Sequence, residues 1–364
     1  MYQNPPRYVP GPPVAARPVR RRRGFVVLLL LPFVFFALVF FGGSYAISPE
    51  PDIEVLPGFA FADARKDVLL VPYERHGTRG MFQSMTQDLF QVRLAAIDPA
   101  TGEALWDTQL SDQLVWMASV LASGQQYAYL VTDSGLMIVA MADGAVVAEG
   151  AGVAGLGSAY VATRSAYAYD VDGRRVLAMN AGGHVLAISM DHAKAAPVDA
   201  RTAAAWSGRL SATPAPDGPP DGTAQEAALA PGGDRVALRD LPFDGLGQEL
   251  VRVRTDGQRI SAGGTAFHGA SLVAAGGVAV GGASGRVLVQ HQRSVDDTGT
   301  ALSMVLPDNG QVTDSLTVGH DVVHAVIGPD GTAAVATGPD LVVAHDGRLV
   351  RVALGATGFF GSPS

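Results

Sequence analysis

A single uncharged segment near the amino terminus limits the folds open to this 364-residue chain. Residues 24–47 carry no charged side chain, and Phe25–Phe41 is apolar throughout apart from the neutral Pro32. As a helix rising about 1.5 Å per residue, the segment would be roughly 36 Å long, which is enough to cross a ~30 Å hydrocarbon core. We therefore predict a transmembrane helix at 24–47, with the lipid bilayer as its partner.

Four arginines precede this segment, at positions 20–23. Because basic residues stay on the cytoplasmic side of a span, the amino terminus is predicted inside and residues 48–364 outside the cytoplasm. This is the topology of a single-pass cell (inner) membrane protein with a periplasmic or extracellular body. Two export alternatives stay open, since Ser44-Tyr45-Ala46 resembles a signal-peptidase site and Arg22-Arg23 begins a twin-arginine-like signal. Both also place the body outside the cytoplasm.

The composition differs on the two sides of the span. Residues 1–23 are rich in proline and arginine, which predicts a disordered cytoplasmic tail. Residues 48–58 are expected to be a linker, and 59–364 an extracytoplasmic domain. Beyond residue 47 the chain holds 20 Lys and Arg against 34 Asp and Glu. Such an acidic body repels phosphate, so nucleic acid is not expected as a partner.

From residue 59 the chain alternates short apolar runs with turn signals, in a sequence with 44 Gly and 23 Pro. Many short strands joined by regular turns predict an all-β sandwich, barrel or propeller. The clearest runs are Val68–Val71, Leu94–Ile97, Tyr127–Val131, Leu136–Ala140, Val185–Ile188, Val236–Leu238, Leu250–Val253, Val287–Val289 and Leu341–Ala344.

A weak repeat favours the propeller. Its clearest copy is Ala96–Trp106, in which Asp98 can cap a turn, Gly102 can take a positive φ and Trp106 offers a flat packing surface. Turns that keep part of this pattern recur after it at intervals of about 42, 49, 64, 53 and 37 residues, near the 40–50-residue period of propeller blades. They lie at 141–144, 190–194, 254–257, 307–310 and 344–347. The length of the body then predicts six or seven blades.

Residues Ala96–Trp106 resemble the Ala-x-Asp-x-x-Thr-Gly-x-x-x-Trp repeat of the quinoprotein, or pyrroloquinoline-quinone (PQQ)-like, β-propellers. Asp98, Thr101, Gly102 and Trp106 occupy the repeat-defining positions. The resemblance implies an all-β, six- to seven-bladed PQQ-like β-propeller preceded by one transmembrane helix. Active quinoprotein dehydrogenases are larger and use adjacent cysteines and acidic calcium ligands, whereas this chain has no cysteine. The resemblance therefore carries over no catalytic residue and no cofactor.

A dinucleotide-binding pattern is explained better as a connection between blades. Residues 150–155 match the glycine fingerprint, and Asp170 follows at the expected distance. That site requires a helix directly after the glycines. The alternation of residues 159–169 predicts a strand there instead.

Two further motifs are also expected to be ordinary turns or strands. Asp170-Val171-Asp172-Gly173 lacks the additional oxygen ligands of a calcium loop. His320 and His324 fall on a strand predicted at 318–327, where residues four apart lie about 13 Å from each other. No catalytic, cofactor-binding or metal site is predicted.

The remaining candidate is a surface. Residues 74–88 are predicted to form a long loop with basic and apolar side chains typical of protein contacts. Its candidate partner-contact residues are Arg75, Arg79, Met81, Phe82 and Met85. A mobile hairpin tip explains the same composition equally well. We therefore predict a protein-interaction or assembly scaffold with an unknown protein partner. The alternative is a ligand-sensing or quinoprotein-like enzyme that uses the propeller channel, which would need several acids and a His or Arg converging there.

Overall fold

The computed structural model describes residues 22–62, 67–213, 222–241, 247–356 and 358–360, with the side chains of all these residues except 22–29, 283 and 298. Most of the predicted tail and most of the proline-rich segment at 212–222 lie outside the described residues. The amino-terminal helix comprises α1 (Arg22–Ala37), a π-helical turn (Leu38–Gly42) and α2 (Gly43–Ile47). Its Leu30–Ile47 window has a mean hydropathy of 2.1, and none of that window is buried against the rest of the protein.

The body consists of mainly antiparallel sheets that follow one another along the chain, the arrangement of propeller blades. Three sheets have four strands and one has five, and the fifth sheet has ten strands that supply two blades. Blade 1 contains β1 (Asp52–Val55), β2 (Ala60–Phe61), β3 (Leu69–His76), β4 (Phe90–Ile97) and β5 (Ala104–Ser111), in which β1 and β2 share the innermost position. Blade 2 contains β6 (Ala118–Ser123), β7 (Tyr127–Thr132), β8 (Gly135–Ala140) and β9 (Val146–Glu149). Blade 3 contains β10 (Tyr167–Asp170), β11 (Arg175–Met179), β12 (Val185–Ser189) and β13 (Ala196–Pro197).

The second half of the body continues the pattern with two short additional strands. The strand β14 (Thr223–Ala224) precedes blade 4, which contains β15 (Glu226–Ala228), β16 (Arg235–Asp240), β17 (Gly247–Val253) and β18 (Arg259–Ser261). Blade 5 contains β19 (Phe267–Ala275), β21 (Val287–Ser294), β22 (Asp297–Val305) and β23 (Val312–Val318), with β20 (Val278–Ala279) after β19. Blade 6 contains β24 (His324–Ile327), β25 (Ala333–Ala336), β26 (Leu341–His345) and β27 (Arg348–Val352).

The remaining helices are short. They are α3 (Gly80–Thr86), α4 (Ala200–Trp206) and 3-10 turns at Gly150–Gly152, Gly157–Ala159, Arg164–Ala166 and Gly282–Ser284. Asp199 caps α4 by accepting a hydrogen bond from the backbone N–H of Thr202.

Apolar cores hold neighbouring blades together. Leu70 and Leu94 of blade 1 share a core with Leu130 and Met137 of blade 2, and a similar core joins blade 2 to blade 3. Further cores join blade 4 to blade 5 and blade 5 to blade 6.

The ring closes without a shared sheet, because blade 1 takes its strands from the start of the body and blade 6 from its end. Leu69 and Val71 of blade 1 are fully buried with Leu341 and Val343 of blade 6. The backbone N–H of Val55 also donates to the carbonyl of Gly338, 2.8 Å away. Closure therefore depends on side-chain packing with little hydrogen bonding.

Blades 4 and 5 depart from the simple pattern. Their strands form one ten-stranded sheet, in which β15, β16, β17, β19 and β20 each pair with the next and β20 pairs back with β15. This cycle makes a small closed barrel around Val236, Leu250 and Phe267. Within the described ranges, no buried apolar cluster joins blade 3 to blade 4.

The predicted fold class is confirmed: the body is an all-β propeller, with six blades in the described part of the chain, after one apolar helix. Every apolar run predicted as a strand falls in a strand, apart from end residues. Four local expectations differ from the structure. Residues 159–166 form 3-10 turns and irregular backbone, and only the end of the strand expected at 159–169 lies in β10. The strand β1 lies inside the expected linker 48–58, helix α3 lies inside the expected loop 74–88, and residues 319–323 interrupt the strand expected at 318–327.

Candidate functional site

The hairpin between β3 and β4 places helix α3 against the end of the amino-terminal helix. Gly80, the first residue of α3, has φ +75°, and a Cβ built there would lie 2.7 Å from the Tyr45 Cα. Only glycine permits both this left-handed conformation and this backbone approach. The hairpin and the helix are thus in direct contact at Gly80.

Polar contacts fix this approach. The backbone N–H of Met81 donates to the Ser44 Oγ at 3.0 Å, and the Arg79 Nε donates to the Tyr45 carbonyl at 3.3 Å. The Arg79 guanidinium also lies 4.5 Å from the centroid of the Tyr45 ring and pairs with Glu50 at 2.9 Å. Arg79 therefore links the hairpin to both the helix and the segment that follows it.

Aromatic rings bring a third segment, the carboxyl-terminal residues Phe359 and Phe360, to the same place. The ring of Phe82 in α3 stacks on the ring of Phe359, with 5.5 Å between the centroids. Phe82 also makes edge-to-face contacts with Phe41, at a centroid distance of 6.2 Å, and with Phe360, at 5.5 Å. Tyr45 packs against Phe359 at 5.5 Å. We call this meeting of the amino-terminal helix, α3 and the carboxyl-terminal residues the junction.

A buried polar network supports the junction from the blade side. Arg75 is fully buried, and its guanidinium donates to the Gln83 Oε1 at 3.1 Å and towards the Gln87 Oε1 at 3.4 Å. Gln83 in turn donates from Nε2 to the Gly358 carbonyl at 3.0 Å. Burial, with the nearby Arg93 charge, lowers the pKa of Arg75. These bonds orient α3 and the carboxyl terminus together.

A second set of buried groups lies beside Arg75 in blade 1. The Asp107 carboxylate accepts from the Tyr73 hydroxyl at 2.5 Å and from the Arg93 Nε at 2.9 Å. Burial and the adjacent Asp107 charge raise the pKa of Tyr73 well above its ordinary value. Asp107 therefore neutralises a guanidinium that the blade encloses.

An apolar groove runs between the amino-terminal helix and α3. Its volume is about 660 Å³. Its walls are apolar apart from Thr86, and they include Val34, Leu38, Phe41, Phe82 and Met85. The groove ends beside Phe359. Such a surface suits an apolar chain, because the Thr86 hydroxyl already donates to the Phe82 carbonyl.

The structure divides the predicted partner-contact residues into two groups. Arg75 is enclosed, and Arg79 and Phe82 contact other parts of the same chain. Met81 and Met85 are 43% and 72% exposed. Of the five residues, these two methionines are the exposed apolar ones.

The repeat-defining residues lie in the turn between β4 and β5. The Asp98 Oδ1 accepts from the Ala100 N–H, the Thr101 Oγ1 accepts from the Glu103 N–H, and Gly102 has φ +75°. Trp106 packs against blade 2 and donates from Nε1 to the Met141 carbonyl at 3.0 Å. These residues shape a turn and an interface between two blades.

The other sequence motifs do not converge on a site. Residues 150–152 form a 3-10 turn that no α-helix follows. Asp170 accepts hydrogen bonds from the Arg175 Nε and the Gly173 N–H. His320 lies within the interruption between β23 and β24, and His324 is the first residue of β24.

The sequence did not predict that three titratable side chains of blade 1 lie close together. Glu54, Glu74 and His76 bring ligand atoms within 4.8 Å of one another across β1 and β3. Glu54 and Glu74 are register partners, and the His76 Nε2 lies 3.0 Å from the Glu74 Oε2. Their positions in the sequence hold no metal-binding spacing, because strand pairing brings them together.

Comparisons with known proteins give no family assignment. No protein-family model matches the sequence, and no curated protein sequence matches it significantly. Among solved structures, the chain is similar to BamB from Moraxella catarrhalis, with 14% identity, coverage of 82% of this chain and 84% of BamB, and a TM-score of 0.27.

Two other structures match over similar lengths. For the AtxE2 isopeptidase the identity is 9%, the coverage 84% of this chain and 52% of that chain, and the TM-score 0.41. For the carboxyl-terminal WD40 domain of Sif2 the identity is 10%, the coverage 82% and 84%, and the TM-score 0.24. These TM-scores are too low for the alignments to carry an argument. The fold assignment depends on the strand order and blade cores of the chain itself.

Proposed function

We propose that this chain is a single-pass membrane protein whose extracytoplasmic β-propeller is a protein-interaction or assembly scaffold. The observation that carries the proposal is the junction, where an exposed apolar helix is attached to blade 1 by Arg79, Ser44 and Phe82. A propeller attached in this way presents its blade edges and loops at a membrane surface.

The proposed topology follows the sequence. Residues 1–23 form the cytoplasmic tail, and 24–47 span the membrane. The propeller begins at β1 rather than at residue 59, because Asp52–Val55 pairs with Tyr73–His76. The arginines before the span support a propeller outside the cytoplasm.

The outer edge of blade 2 is the surface best suited to a protein partner. Outermost strands leave backbone N–H and C=O groups unpaired along one edge, and a partner strand can add there. Among the other outermost strands, β18, β23 and β27 carry charged side chains, β5 carries the buried Asp107, and β13 has only two residues. In β9 the charge is confined to the last residue, Glu149, whereas Val146–Ala148 is uncharged, and Val146 and Val147 are 43% and 45% exposed. We assign strand addition to β9.

The channel-based alternative has less support. It needs at least three acids converging with a His or Arg. Among the described residues, the candidate metal-binding group contains two acids and one histidine, namely Glu54, Glu74 and His76.

The test is in-cell crosslinking followed by affinity purification of the full-length protein from its native membrane. Val147→Asp places a charge at the β9 edge, and Val171→Asp is the matched control, because Val171 is a 70% exposed valine in the turn after β10. A chain reduced to residues 1–51 controls for capture through the span alone.

We expect a reproducible partner that requires the propeller, is lost with Val147→Asp and is retained with Val171→Asp. If the full-length protein recovers no more than residues 1–51 do, the scaffold proposal fails. If the partner survives Val147→Asp, binding occurs elsewhere than β9.

A further inference from the structure

We propose that α3 and Phe359–Phe360 form a second membrane contact, seated in the outer lipid interface beside the amino-terminal helix. The inference rests on the proposed function in one respect, namely that residues 24–47 span the bilayer. It adds a lipid-binding surface on the propeller itself, which neither the span nor the scaffold role requires.

The junction lies about two helical turns before the end of the amino-terminal helix. Phe82 contacts Phe41, which precedes the helix end at Ile47 by six residues, or about 9 Å at 1.5 Å per residue. Interfacial helices lie with their apolar face about 5–10 Å into the boundary between headgroups and acyl chains. If the span crosses the bilayer, contact with Phe41 places α3 at this depth.

The surface of the junction changes from apolar to charged side chains near the end of the span. Helix α3 has no charged residue, and Met85 and Phe360 are each 72% exposed. Leu89, at the end of the same hairpin, is 65% exposed. On the side towards the propeller, Arg79 pairs with Glu50. Apolar side chains thus lie along the span, and the ion pair lies at its end beside Tyr45, as at a membrane boundary.

The groove identifies the occupant. Val34, Ala37 and Leu38 form one wall and belong to the span itself, while Phe82 and Met85 form the other. If water filled the groove, both apolar walls would stay in contact with water at the depth of the hydrocarbon core, which is unfavourable. An acyl chain of an outer-leaflet phospholipid would cover both walls instead. The occupant we infer is therefore a phospholipid acyl chain, continuous with the lipid around the span.

The second membrane contact would fix the orientation of the propeller relative to the membrane. A propeller attached by a flexible linker would rotate freely above the membrane, whereas contacts at the span, at α3 and at Phe359–Phe360 fix its tilt. Blade 1 then lies nearest the membrane, and the turns at the opposite end of its strands, such as Asp98–Gly102, face away from it.

The test uses the absence of cysteine, which makes single labels unique. Met85→Cys, Val39→Cys and Val171→Cys are each labelled with an environment-sensitive fluorophore on the full-length protein in nanodiscs of phosphatidylcholine and phosphatidylglycerol. All three positions have exposed side chains. Each label is then quenched with doxyl-labelled lipid and, separately, with aqueous iodide. Leu89→Cys provides a second position on the hairpin if the label disturbs Met85.

We expect lipid quenching and iodide protection at Met85 and Leu89, strongest with the doxyl group near the headgroup. Val39 should be quenched by doxyl groups deeper in the chain, and Val171 by iodide alone. Quenching of Met85 and Leu89 by iodide would overturn the inference. So would protection from both quenchers, because another protein surface would then cover the hairpin. Loss of lipid quenching at Val39 would mean that the span itself fails, whereas loss at the hairpin alone would sink only the second contact.

Discussion

At the scale of single residues, Tyr129 links blade 2 to blade 3 through its hydroxyl. The Oη donates to the His192 carbonyl at 2.7 Å and accepts from the His192 N–H at 3.1 Å. Burial is the main reason that the pKa of Tyr129 rises to about 12. An unfolded chain loses the tyrosine proton near pH ~10, so the stabilisation is complete below that pH and is lost as pH rises towards 12.

The Tyr129→Phe variant should therefore show a smaller fall in unfolding free energy between pH ~10 and ~12 than the parent protein. At neutral pH it should be less stable by about 1–2 kcal/mol, because the His192 backbone groups lose a buried partner. Urea unfolding followed by tryptophan fluorescence at a series of pH values measures both effects. Equal pH slopes in the two proteins would contradict the assignment.

Asp107 is the second residue whose removal has a calculable cost. The Asp107→Asn change leaves the buried Arg93 guanidinium without its carboxylate and should cost roughly 3 kcal/mol. Asp308→Asn is the control, because Asp308 pairs with Arg252 at the surface and is 72% exposed. That variant should change stability by less than about 1 kcal/mol. Similar losses in both variants, measured by urea unfolding, would argue against the buried network.

At the scale of elements, the packing of one blade on the next depends on a glycine in a turn. Gly144 has φ +75°, and a Cβ there would lie 2.6 Å from the Trp106 ring and 2.4 Å from the Thr108 Oγ1. Gly257 occupies the equivalent turn of blade 4 with φ +83° and open space around it. The two positions share backbone strain and differ in the blade contact.

Gly257→Ala should cost about 1–2 kcal/mol from the left-handed conformation alone. Gly144→Ala should cost more, because Trp106 must shift away from blade 2. Trp106→Phe, which removes the hydrogen bond to Met141 and part of the ring, should relieve some of that difference. Thermal unfolding of the three single variants and the Gly144–Trp106 double variant tests this coupling. An equal loss for both glycine variants would contradict it.

At the scale of the whole molecule, the described blade interfaces are unequal. Five neighbouring pairs share a buried core, whereas blades 3 and 4 share none within the described ranges. Regions with few buried apolar contacts open at lower free energy than the rest of a protein.

Hydrogen exchange followed by mass spectrometry should therefore show faster exchange in β10 and β15 than in β3 and β26. Leu341→Ala should speed exchange in β3 and β26 and so reduce their difference from β10 and β15. The substitution removes a fully buried side chain from the core between blades 6 and 1. Its expected cost is about 2–5 kcal/mol. Uniform protection across the parent protein would show that blades 3 and 4 are held together by other means.

The amino-acid order by itself determined the elements with local causes. The length of the uncharged segment 24–47 predicted the amino-terminal helix, and apolar runs such as Leu136–Ala140 predicted strands. The Asp98–Trp106 segment predicted both a turn with a positive φ and a flat packing residue. These features need only neighbours a few residues away, so their pattern survives in the sequence.

Only the tertiary structure decided the candidate site. Phe41, Phe82 and Phe359 come from three distant parts of the chain, and helix α3 is too short for a helical period to reveal it. Arg75 had the composition of a surface contact, but its guanidinium is buried, where it donates to the side chains of Gln83 and Gln87. The junction, the barrel in blades 4 and 5 and the closure of blade 6 on blade 1 all depend on long-range packing. Local sequence patterns carry no record of such packing, because it joins residues that only the completed fold brings together.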